Sequence, residues 1–107
     1  MPAFSECQII DSWQHNINQS SVNSLSFSDN GCYLASAGDD GIIKLWYLGS
    51  NGKREVSYSQ GINIASGKRK INNIDLEIVD QQIVIASGED NGRVNVHNHS
   101  PKKGQCQ

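Results

Sequence analysis

The chain has 107 residues, enough for one small domain. Its 9 Lys and Arg against 11 Asp and Glu leave a formal charge of −2, so no chain-wide basic field exists to attract nucleic acid. Ser, Asn and Gly make up about a third of the residues, a composition that argues against coiled coils and long helical bundles and leaves a turn-rich β protein.

In chain order, Met1–Gln8 contains Glu6 and no apolar stretch, so no signal peptide is expected there. Cys7–Asp11 reads as a lone short strand. Val22–Ser28 forms a strand, and Asp29-Asn30-Gly31 forms a turn whose Asn-Gly accepts positive φ. Cys32–Ser36 follows as a strand, Gly38–Gly41 as a turn and Ile42–Trp46 as a third strand. Gly49-Ser50-Asn51-Gly52 turns the chain into a strand at Arg54–Tyr58, and 59–70 is a longer loop. Strands are then expected at Ile71–Glu77, Ile83–Ser87 and Arg93–His97, ahead of a disordered polar tail over 99–107. No window carries a helical period. The longest apolar run, Ile83–Ala86, is far too short to cross a membrane.

These strands fall into two copies of one unit. Val22-Asn-Ser-Leu-Ser-Phe27 and Ile71-Asn-Asn-Ile-Asp-Leu76 place apolar residues at the same offsets, with a shift of 49 residues (Val22 to Ile71). Ala35-Ser-Ala-Gly-Asp-Asp-Gly41 matches Ala86-Ser-Gly-Glu-Asp-Asn-Gly92, and Ile43-Lys-Leu-Trp46 matches Val94-Asn-Val-His97, with a shift of 51 (Ala35 to Ala86). A length change in the turn between the halves, Ser28–Gly31 against Ile78–Gln82, accounts for the difference.

The run from Val22 to Trp46 resembles a WD repeat, the unit of a WD-repeat β-propeller, closely over 13–58 and loosely over 71–98. It departs from the family pattern at Tyr47, where the terminal dipeptide should read Trp-Asp. The second copy departs at His97 and Asn91, in the Trp and Asp positions. The resemblance implies an all-β fold of antiparallel four-stranded β-meander blades, about two of them, spanning 1–98 as an incomplete propeller. Cys7–Asp11 would be a strand of a preceding blade. It also implies a structural hydrogen-bond network of Trp46, Ser36, Asp40 and a His. The family's Gly-His pair would fall at Ile17-Asn18, and His15 fills that role if its loop to Val22 runs three residues longer than usual.

Other chemistry fares poorly. Ser36, His15 and Asp40 could be arranged as a small hydrolase, but no Gly-x-Ser-x-Gly elbow surrounds Ser36. Gly61–Lys68 has one residue too many for a phosphate loop, and Arg69 where the Mg²⁺-binding hydroxyl belongs. Ser50 and Lys53 match a Ser-x-x-Lys string without its companion motifs. His97, His99 and Cys106 lack paired ligand spacing, so no metal or other cofactor is expected. The three cysteines, an odd number without paired spacing, argue against a disulfide framework and for a reducing, cytoplasmic setting. Cys7 and Cys32 then pack as small apolar residues and Cys106 is exposed.

The expected function is a non-catalytic protein–protein interaction module, or a fragment of a larger scaffold or signalling protein. The alternatives are the small hydrolase and a non-functional remnant of a longer WD-repeat protein. Lys68, Arg69 and Lys70 form a candidate rim for an acidic protein partner. Self-association or further WD-repeat blades are the other expected contacts, with neither nucleic acid nor membrane as a partner.

Overall fold

The computed structural model describes residues 12–16, 20–49 and 62–101, without the side chains of Ala65 and Ser66. The described residues are all-β and contain no helix. The strands are β1 (Val22–Phe27), β2 (Tyr33–Gly38), β3 (Ile42–Tyr47), β4 (Ile62–Ser66), β5 (Ile71–Val79), β6 (Gln82–Glu89) and β7 (Val94–His99). They form two antiparallel meanders, β1-β2-β3-β4 and β5-β6-β7, consistent with partial propeller blades.

Turn chemistry sets the registers. Between β1 and β2, the Asn30 side chain accepts from Cys32 N at 3.0 Å, and the Ser28 hydroxyl accepts from Tyr33 N at 3.0 Å. Gly31 takes φ 73°. Between β2 and β3, Asp40 Oδ1 accepts from Ile42 N at 3.0 Å, and Gly41 also has φ 73°. Asn91 repeats this Asx turn between β6 and β7, accepting from Arg93 N at 3.0 Å.

Successive side chains in a strand point to opposite faces, so each sheet has two. Ala35, Ala37, Ile43 and Leu45 of the first sheet pack on Ile74, Leu76, Ile83 and Ile85 of the second, and all of them are buried. Burial of such side chains contributes roughly 1.5–3 kcal/mol for each large one. Ser24 and Ser26 of β1 complete the joint by accepting from the backbone N–H groups of Ile74 (3.1 Å) and Leu76 (3.0 Å) in β5. The opposite face of the first sheet carries a smaller cluster of Leu34, Trp46, Leu48 and Trp13.

Three expectations change. The segment read as the 59–70 loop contains β4, whose backbone pairs with β3 from Leu45↔Ile62 to Ile42↔Ser66 and whose Ile64 packs against the core between the sheets. β7 runs on through His99, which pairs with Ile83, so the ordered chain enters the segment assigned to the tail. Cys32 is buried and disulfide-bonded, not a packed thiol, and its partner lies outside the described residues. An odd cysteine count leaves one thiol over but does not prevent one bridge, so the count no longer argues for a reducing compartment. The strands expected at Cys7–Asp11 and Arg54–Tyr58, Ile17-Asn18, Ser50, Lys53, Cys106 and the tail beyond Pro101 also lie outside the described residues.

Candidate functional site

Ser36 sits mid-strand in β2, paired with Lys44 of β3 and Leu25 of β1. Its side chain points to the face that carries Trp46. The Trp46 indole N–H donates to Ser36 Oγ at 3.0 Å, and His15 Nδ1 lies 2.6 Å from the same oxygen. On the far side of the ring, His15 Nε2 is 3.2 Å from Oδ1 and 3.1 Å from Oδ2 of Asp40. One ring proton, on Nε2, satisfies every partner: Trp46 donates to Ser36, Ser36 to His15, and His15 to Asp40. The structure thus brings Trp46, Ser36, His15 and Asp40 into one chain of hydrogen bonds linking β2, β3, the β2–β3 turn and the segment before β1. Residues 17–19, between His15 and β1, lie outside the described residues.

Burial works against ionisation of Asp40. The Ile42 N–H, the Asn16 amide (2.9 Å) and the His15 ring more than offset it, and the Asp40 pKa lies below its ordinary value. Trp46 is additionally packed by Trp13, edge-on at 5.5 Å between ring centroids, and by Lys44, whose Nζ lies 5.7 Å from the ring centroid. Beside this network a groove of about 270 Å³ is lined by Trp13, Val22, Leu25, Leu34 and Trp46, with His15 and Ser36 at its polar end.

Sequence reasoning missed Asn16, a second donor to Asp40, and Asn23, whose amide reaches both Asp39 Oδ1 and Ile71 O at 2.9 Å. It also missed Ser24 and Ser26. Their alternation with Leu25 and Phe27 looks like a solvated face, whereas they face β5.

The second sheet keeps the frame without the network. Ser87 and His97 occupy the positions of Ser36 and Trp46, and no hydrogen bond joins them among the described residues. His97 and His99 belong to β7, and among the described residues no group of three His, Cys, Asp or Glu could hold a metal ion.

Lys68, Arg69 and Lys70 are exposed in the turn joining β4 to β5. That turn is anchored on both sides: Gly67 N donates to Gly41 O at 2.8 Å, and Asp90 N donates to Lys70 O at 3.0 Å. The β2–β3, β4–β5 and β6–β7 turns therefore gather at one end of the sheets. None of the three cations makes an ion pair among the described residues.

Residues 7–47 match the family described as WD domain, G-beta repeat. The matched unit begins upstream of β1 and ends with β3, so it takes in Cys7–Asp11 and leaves out β4. No curated protein and no solved structure matches the chain.

Proposed function

We propose that this chain, whose residues 7–47 match the WD-repeat family, is a non-catalytic protein–protein interaction module. The observation that carries this reading is the state of the Ser36 hydroxyl. Its oxygen accepts the Trp46 indole N–H at 3.0 Å and the residue is 3% exposed, which is what argues against a nucleophile; the Ser36–His15 bond is one that a catalytic pair would also make. A nucleophile needs a lone pair aimed at substrate, whereas here the oxygen serves to join strands. The network acts as a clamp on the β2–β3 turn, and the same turn supports the Gly67 backbone below the basic residues.

Lys68, Arg69 and Lys70 then form the partner-binding rim, and the fitting partner is an acidic protein segment. The test uses poly-glutamate as the probe. Binding should weaken several-fold as salt rises and be lost in the triple charge reversal K68E/R69E/K70E; equal binding by that variant defeats the reading. The hydrolase alternative is checked on the same samples. Turnover of an activated ester such as p-nitrophenyl acetate above that of Ser36→Ala would replace the interaction reading with a catalytic one.

A further inference from the structure

Each sheet has one face buried against the other sheet; the opposite face is open on the second sheet, and on the first it is open along β1 while Trp13 and His15 cover Leu34, Ser36 and Trp46. On the first sheet the open face presents Leu25 and Phe27, 61% and 57% exposed; on the second it presents Val94 and Val96, 74% and 69% exposed. The repeat determines what such faces fit. Leu25, Phe27 and Leu34 hold the positions of Ile74, Leu76 and Ile85, which are buried in the joint. The open face of the first sheet is therefore the counterpart of the second sheet's buried face. Conversely, Ala86, Val94 and Val96 hold the positions of Ala35, Ile43 and Leu45, so the open face of the second sheet is the counterpart of the first sheet's buried face. Both halves of a second joint are present on one molecule, facing away from each other.

We propose that the Leu25/Phe27 face of one chain docks on the Val94/Val96 face of a second copy of this chain, head to tail, repeating the contact that already joins its two sheets. Polar groups agree with this pairing. Asp75 is exposed at the position of Ser26, the residue that accepts from Leu76 N, so its carboxylate is placed to accept from Phe27 N of the next copy. The Val94/Val96 face carries the acids Asp75 and Glu77, while the strands of the Leu25/Phe27 face present Lys44 and, among the described residues, no acid beyond the His15-bound Asp40 in the β2–β3 turn. A heterologous contact of this kind closes into a ring or runs on as a filament. At two sheets per chain, a ring of about four to eight blades takes two to four copies. The contact uses sheet faces and not the basic turn, so the poly-glutamate experiment and this one fail independently.

The test is solution mass by light scattering on the full chain at high micromolar concentration. Wild type should run at two or more times the chain mass of 11.7 kDa. Phe27→Lys and Val96→Lys, each spoiling one face, should run as single chains. An equimolar mixture of the two should give a dimer and nothing larger, because one intact face of each kind remains. Circular dichroism melts show that the variants fold, and Leu25→Lys with Val94→Lys replaces any that does not. A wild-type mass of one chain overturns the proposal. So does a single variant that still self-associates, which would mark a face pairing with its own kind, and so does a mixture that stays monomeric.

Discussion

Ser36→Ala gives the sharpest test of how the first sheet is held. The substitution removes one oxygen that has two partners, the indole N–H of Trp46 at 3.0 Å and Nδ1 of His15 at 2.6 Å. Trp46 and His15 are 2% and 5% exposed and both border the groove, so water can replace only part of what each loses. A buried group stripped of its partner costs about 1–3 kcal/mol, so two partial losses together come to roughly 2–4 kcal/mol. The assay is urea unfolding at fixed protein concentration, since self-association couples to stability, followed by tryptophan fluorescence. Ser87→Ala is the internal control: the residue is equally buried at the equivalent position but lacks the Trp partner, and its loss should stay below about 1 kcal/mol. Equal effects of the two substitutions, or a Ser36→Ala loss below about 1 kcal/mol, would refute the clamp.

Asp40 has a depressed pKa in the folded chain, so its contribution is present above the unfolded value of about 4 and disappears as pH falls through the folded one. Asp40→Asn should be less stable at neutral pH by about 1–2 kcal/mol, because an amide nitrogen then meets the Asn16 and His15 donors. The gap from wild type should narrow in urea melts as pH drops from 6 towards 3. Gly38→Ala would place a Cβ 1.9 Å from Ser21 O, beside the bond from Asp39 N to that oxygen, and should cost about 3 kcal/mol or prevent folding. At Gly88 a Cβ meets nothing within 4 Å, and Gly88→Ala should be close to neutral in the same thermal melt. Asp80 and Gln81 form a two-residue hairpin turn with φ 51° and 66°, so Gln81→Gly should raise stability by about 0.5–1 kcal/mol by calorimetry.

Most of the first sheet could be read because its determinants lie close together in sequence. Asn30-Gly31 and Asp40-Gly41 announce tight turns through residues that accept left-handed backbone or cap their own loop, and Asn91-Gly92 repeats the second of them. Ser36, Asp40 and Trp46 fall within one hairpin, where spacing alone brings them near each other. His15 was harder, since its place depends on loop length and not on pattern. The β4 strand was missed because Ile62 and Ile64 are only two apolar residues in polar surroundings, a signal too short to outweigh the glycines around it. The Asp80-Gln81 turn carries no glycine to betray its two positive φ angles. Ser24 and Ser26 were unreadable for a different reason: their acceptors' value lies in N–H groups 50 residues away, and alternation says which face a residue occupies but not what covers it.

The serine contacts between β1 and β5 have a geometric consequence. Two strands joined by a backbone ladder must lie about 4.8 Å apart, whereas strands joined through a side-chain hydroxyl are held at whatever distance that side chain spans. Ser24 and Ser26 therefore act as spacers of fixed length at the β1–β5 edge of the joint between the sheets. The isoleucines and leucines of β3 and β6 behind them set the thickness further in. The ratio of the two thicknesses sets the angle from one sheet to the next, and so the curvature that any longer array of these units would follow.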